Sequence, residues 1–226
     1  MKYIKKSEEI PQFFLDDTKE LNKTIKTFVT PNEKSQVWDN DYKNKRTLKE
    51  YLLKEEQNYL CGYCEAKISL DNSHVEHIKP KSLDYDNLTF DYYNLLVSCN
   101  GVCFSEQNKP ITCGHKKANK FDEVKFLNPT KKVNIREYFI YTNNYYIGSS
   151  SLDEEKSKYT MDLLELNSFN NNLPQAREDA FNEFRNSVTD FSQKTGKDIQ
   201  EIAQILLNKE NLAFISFLKF RYKSIL

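Results

Sequence analysis

Outside residues 61–115 this 226-residue chain contains no cysteine and no histidine. No run of 18 apolar residues occurs, which argues against a membrane-spanning helix. Excess charge of either sign is also missing: 33 Lys and Arg stand against 33 Asp and Glu. No global field therefore draws the molecule to nucleic acid, and any such contact must come from a local patch. The first residues, Met1 to Glu9, lack the apolar run of a signal peptide. The cysteines number five, an odd count, and two have CxxC spacing, which favours metal ligation over disulfides and a reducing cytoplasm. No internal repeat is visible. What is present is 38% hydrophobic residues, with 14 Tyr and 15 Phe, enough to bury the core of one large domain or of a compact domain with appended elements.

Residues 1–46 are polar and mixed, broken by Pro11 and Pro31, and indicate no element. Thr47-Leu-Lys-Glu50 has capping-box spacing and predicts a helix with Leu48, Leu52 and Tyr59 on one face, running into Cys61. Lys67–Leu70 and His74–Ile78 alternate around the turn residues Asp71-Asn72-Ser73, which predicts a β-hairpin. A helix is expected from Lys116 to Phe121, and a second, aromatic hairpin over 133–148 with its turn at Asn143-Asn144. After Ser149 the pattern is helical, with one apolar stripe at Ala180, Phe184, Val188 and Phe191 and another at Ile199, Ile202 and Leu206. The apolar stretch from Leu212 reads most simply as a core helix.

The chemistry sits in the crowded window. Cys61-Gly-Tyr-Cys64 is half of a tetrahedral zinc site, and two of Cys99, Cys103 and Cys113 are needed to complete it; a redox pair or buried free thiols are the alternatives. In His74-Val-Glu76-His77 a carboxylate stands beside an imidazole. The carboxylate suits a hard divalent cation and the neutral imidazole suits proton removal from water, the needs of metal-assisted hydrolysis. His74 lies two residues before Glu76 and so shares its face of a strand. Lysines 109, 116, 117, 120, 125, 131 and 132, with Lys79 and Lys81, form a candidate basic patch.

Taken together, Cys-x-Tyr-Cys, Glu76-His-Ile-x-Pro80, Asn94-Leu with Cys99 following, and Cys113-x-His115-x-Lys117 resemble an HNH endonuclease, and most narrowly the PtuB-type nucleases of Septu and retron-associated anti-phage systems. The resemblance covers about residues 57–130. It implies an α+β molecule: a ββα-metal (His-Me finger) core stapled by zinc over 47–130, a preceding N-terminal arm (1–46), and a small extra hairpin with a mainly helical region over 131–226. It further implies His77 as general base, Glu76 as ligand of a catalytic Mg²⁺ or Mn²⁺, and Asn94 as the residue that orients His77. His115 becomes the second cation ligand, with Asn119 and His74 as further candidates, and Lys79 and Lys117 become phosphate contacts. Cys113 keeps the usual interval to Lys117, which makes Cys61, Cys64, Cys99 and Cys113 the zinc set, 100–112 an inserted loop, and Cys103 a reserve. The implied partners are a DNA substrate, an ABC-type ATPase subunit and, in retron systems, a reverse transcriptase with its DNA. A non-catalytic zinc module and a stand-alone restriction enzyme are the competing readings.

Overall fold

Two helices come first in the computed structural model, which describes residues 1–83, 88–101, 112–167 and 172–225: α1 (Gln12–Ile25) and α2 (Pro31–Asn40). Thr30 caps α2 in a reciprocal capping box with Glu33, and Pro31 stands at its first turn, where no main-chain donor is needed. No element was expected here, yet Phe14, Thr18 and Ile25 share one buried face of α1, a stripe in which Thr18 stands at an otherwise apolar position, and α2 buries Ser35, Val37 and Trp38.

The helix expected from Thr47 begins earlier. It is α3 (Lys45–Tyr51), with Asn44 at its N-cap, and it continues as a π-turn over Leu52–Glu56. Thr47 lies inside α3, so the capping box at Thr47–Glu50 does not form. Leu48, Leu52 and Leu53 are fully buried.

The hairpin expected between 67–70 and 74–78 is also corrected. Strand β1 (Ser73–His77) pairs antiparallel with β2 (Leu95–Cys99), in the register Ser73↔Cys99 to His77↔Leu95. Residues 66–68 instead close the loop around Cys61: Cys61 N donates to Ala66 O at 2.9 Å and Ile68 N to Tyr59 O at 2.9 Å. Their alternation serves this knuckle rather than a strand. The outer side of β2 meets a side chain. Gln57 Oε1 accepts from Val97 N at 2.7 Å, while Gln57 Nε2 and Gly62 N donate to Val97 O at 2.8 and 3.0 Å.

The helix expected at 116–121 is the single turn α4 (Cys113–Lys117), which packs on β2 and stops where Ala118 takes φ +47°. The second hairpin forms at its predicted place but is shorter, β3 (Phe139–Tyr141) with β4 (Ile147–Ser149), preceded by a 3₁₀ turn over Ile135–Tyr138. Helices α5 (Glu154–Leu164), α6 (Leu173–Thr195), α7 (Ile199–Asn208) and α8 (Ile215–Arg221) complete the chain. Phe184, Val188 and Ile202 are buried as the stripes require, whereas Phe191 and Ile199 are exposed. Ile215, Phe217 and Leu218 place α8 in the core. It is tied to the Cys61 knuckle, because Glu65 accepts from Phe214 N through its carbonyl at 2.9 Å and from Ser216 N through its carboxylate at 2.8 Å. Among the described residues no helix is long and apolar enough to cross a membrane.

Candidate metal centre and adjoining cleft

Three segments bring four cysteines together. The knuckle after the π-turn supplies Cys61 and Cys64, the end of β2 supplies Cys99, and the start of α4 supplies Cys113; all are buried, with sulphurs within 4.8 Å of one another. Cys61 and Cys113 Sγ are 3.8 Å apart. A tetrahedral ion about 2.3 Å from each thiolate sets sulphurs about 3.8 Å apart, so the donor set and its size fit zinc. Main-chain and hydroxyl groups support the sulphurs: Cys99 N donates to Cys61 Sγ at 3.3 Å, and Thr112 Oγ1 lies 3.5 Å from Cys113 Sγ while donating to Leu164 O at 2.9 Å. Burial alone would raise the Cys61 thiol, but hydrogen bonds with Cys113, Cys64 and Cys99 hold it well below its ordinary range. Cys103 lies outside the described residues, as does most of the loop expected at 100–112.

The cysteines gather the knuckle, the end of β2 and the start of α4, β1 pairs with β2, and the cleft lies where β1 meets α4. It has a volume of about 450 Å³, with Trp38, His74, Glu76, His77, Gly114 and His115 on its walls. Glu76 is buried. Its Oε1 forms an ion pair of 2.9 Å with Lys117, and its Oε2 lies 3.4 Å from His74 Nε2. Burial would raise this carboxyl, but the His74 hydrogen bond and the Lys117 charge outweigh it and keep the group below the usual carboxylate range. A Cβ on Gly114 would sit 2.7 Å from Glu76 Oε2 and 2.9 Å from His74 Nε2, so only glycine lets α4 approach this closely.

Asn100, to which the sequence assigned no role, orients both imidazoles on this side. His115 Nδ1 lies 3.0 Å from Asn100 O; a carbonyl only accepts, so that nitrogen carries the hydrogen and Nε2 keeps its lone pair. His74 Nδ1 lies 3.2 Å from Asn100 Oδ1, and the two rings stack with centroids 3.9 Å apart and an 11° interplanar angle. His74 Nε2 and Glu76 Oε2 face each other at 3.4 Å, a position where a divalent cation would take the place of the hydrogen between them, and a cleft with this carboxylate and these imidazoles fits a hard divalent ion.

His77 faces the other way. Its Nε2 lies 2.9 Å from Thr89 O, which fixes the hydrogen on Nε2 and leaves Nδ1 as the basic atom. Its ring meets Trp38 edge-on, centroids 4.6 Å apart. Burial pushes its pKa down to about 4, so the ring is neutral at physiological pH. Asn94 holds the main chain two residues later: Oδ1 accepts from Lys79 N at 2.8 Å and Nδ2 donates to Lys79 O at 2.9 Å.

Other expected site residues are placed differently. Lys117, expected at a substrate phosphate, is fully buried and also donates to His77 O at 3.2 Å. Lys79 pairs with Glu123 at 3.5 Å. Asn119 lines the cleft, yet α4 has ended before it, so it does not stand one helical turn above His115. In the basic patch, Lys116 pairs with Glu165 at 3.1 Å and Lys125 with Glu155 at 2.7 Å, while Lys109 lies outside the described residues. Trp38 was missed because no local pattern links α2 to β1; Asn100 was signalled only by its position directly after Cys99.

No protein-family model matches the chain. Over 117 residues it is 38% identical to a Vibrio cholerae protein named "Retron Vc95 putative HNH endonuclease", covering 49% of this chain and 53% of that relative. The chain thus spans about half the length of the curated relative it matches. The likeness supports kinship with HNH endonucleases, and the β1–β2 hairpin followed by α4 is consistent with it.

Proposed function

We propose that the protein is a metal-dependent HNH endonuclease that hydrolyses DNA phosphodiester bonds, acting as the effector of a retron-type anti-phage system together with an ABC-type ATPase. One observation carries the reading. Beside a four-cysteine cluster that gathers β2 and α4, Glu76, His74 and His115 offer cation donors in the same cleft that holds a neutral, oriented His77. A non-catalytic zinc module has no need of that second set of groups.

In this reading Cys61, Cys64, Cys99 and Cys113 hold zinc, while Glu76, His115 and His74 hold Mg²⁺ or Mn²⁺. The bound divalent cation would offset negative charge developing on the phosphate and the leaving oxygen. His77 Nδ1 takes the proton of a water whose oxygen bonds to phosphorus, and the P–O bond to the leaving oxygen breaks. The Thr89 carbonyl keeps the tautomer that makes this possible, Trp38 fixes the plane of the ring, and Asn94 fixes the chain that follows. Lys117 holds one oxygen of Glu76, leaving the other turned towards His74.

The test is plasmid cleavage in Mg²⁺ or Mn²⁺, with and without the ATPase, beside His77→Ala. The variant is expected to lose on the order of 10²–10⁴-fold in rate while its zinc content and circular dichroism match wild type. Equal cleavage by the variant would sink the assignment. Wild type that never cuts, with or without the ATPase, would favour the non-catalytic module, and full activity without the ATPase would favour a stand-alone enzyme.

A further inference from the structure

A second cleft of about 420 Å³ opens from the first and shares Trp38, Asp39, His74 and Val75 with it. Its far wall is α3, which presents Lys45, Arg46 and Lys49. We infer that this cleft is a binding track for the sugar-phosphate backbone of the cleaved strand, on one side of the scissile bond, with Lys45, Arg46 and Lys49 as its phosphate contacts. The inference rests on the nuclease reading above and adds to it a substrate-binding role for the α2–α3 region, where sequence motifs indicate none.

Charge accounting separates this wall from the lysine-rich segment after α4. There Lys116 and Lys125 are matched by Glu165 and Glu155, as Lys79 is by Glu123; Lys117 is buried against Glu76, and Lys120, Lys131 and Lys132 line neither cleft. On α3, Lys45 Nζ donates to the main-chain carbonyl of Asp39 at 2.8 Å. Lys49 Nζ donates to the carbonyls of Leu70 and Ser73. A carbonyl fixes the direction of an ammonium without cancelling its charge, and each ammonium has three hydrogens, so at least one remains for an anion. Arg46 is held only by an exposed pair with Asp71 at 3.5 Å, which is worth little in water. The acid in the passage, Asp39, is answered by Lys81 at 2.6 Å. The wall therefore carries net positive charge, partly sheltered and already aimed, next to the groups that would cut.

Continuity supplies the rest. His74 lines both clefts, beside Glu76 in the first and beside Ser73 and α3 in the second. A strand whose phosphate lies at Glu76 and His77 must leave the cleft, and this exit passes two lysines held by main-chain carbonyls and an arginine in an exposed pair with Asp71. Each phosphate neutralised releases counterions and adds about 0.7–0.9 to the slope of log affinity against log salt.

The experiment measures fluorescence anisotropy of a labelled DNA oligonucleotide on full-length protein carrying His77→Ala to prevent cutting, across a salt series. Adding Lys45→Gln and Arg46→Gln together is expected to weaken binding at least about tenfold at 0.1 M salt and lower the salt slope by about 1.5. Lys194→Gln with Lys197→Gln, which removes the same charge at the end of α6, is expected to change neither. Arg46 is exposed, so Arg46→Gln alone preserves the fold and should give about half the slope change. Unchanged affinity and slope in the α3 variants, or an equal loss in the α6 control, would overturn the track while leaving the nuclease reading intact. A parent protein that binds no DNA would overturn both.

Discussion

Two hydrogen bonds between Asn94 and the main chain of Lys79, one accepted and one donated by the side-chain amide, hold the chain that follows His77. Asn94→Ala leaves a buried donor and acceptor unmet, so it should cost about 1–3 kcal/mol of stability in urea unfolding. It should also lower the cleavage rate at saturating cation, because Nδ1 of His77 loses its fixed direction. A stable variant with wild-type rate would show that the strand alone orients the histidine. At this scale the sequence was legible where chemistry restricts residue type. The thiolates pointed to a metal, and four of the cysteines do cluster; Asn94 was expected to orient His77, and it bonds the main chain of Lys79. The sequence was illegible where one residue type has many uses. Lys117 looked like a phosphate contact, but its placement one turn into α4 drives it inward to Glu76, a burial that spacing cannot reveal.

Between elements, the governing contact is the approach of α4 to β1. Gly114 is the point of closest passage, with Glu76 Oε2 and His74 Nε2 inside the space of a methyl group. Gly114→Ala is expected to displace one or both donors and weaken Mn²⁺ binding, read by calorimetry, by about tenfold or more, equivalent to about 1.4 kcal/mol. Zinc stoichiometry should be unchanged, since the atoms nearest a Cβ on Gly114 belong to Glu76 and His74 rather than to a cysteine. An alanine variant that binds Mn²⁺ as wild type does would mean that the donors are not where the cation sits. The hairpin partner was misjudged for a related reason. Asp71-Asn72-Ser73 has good turn chemistry, and local alternation could not disclose that Lys67–Leu70 was committed to the knuckle around Cys61. The true partner lies across the 3₁₀ turns from Lys81 to Asn94, a pairing settled by the buried run Leu95–Cys99.

Across the whole molecule, the C-terminal helices are joined to the centre by ionic contacts as well as apolar ones. Glu210 takes hydrogen bonds from Arg136 and Lys219. Burial would raise its carboxyl, yet these two cations prevail and bring its pKa down to about 2. A carboxyl depressed on folding stabilises fully above its unfolded pKa, near 4.5, and loses that contribution as pH falls through about 2. Urea midpoints of wild type and Glu210→Gln should therefore differ most at pH 5 and above and converge as pH falls towards 2; a gap constant over that range would show that the charge contributes nothing. Little of this long-range assembly was readable, because Arg136 and Glu210 belong to separate patterns and meet only through the fold.

Gln57, finally, behaves as a strand one residue long. Its amide matches both main-chain groups of Val97, and Gly62 adds a second donor, so the outer edge of β2 is occupied at that position. A two-stranded sheet has two edges and is therefore prone to recruit a third strand from a neighbouring molecule. Here Gln57 and Gly62 together withdraw that invitation at Val97, so a neighbouring strand that tried to extend the sheet on the β2 side would meet a position already paired.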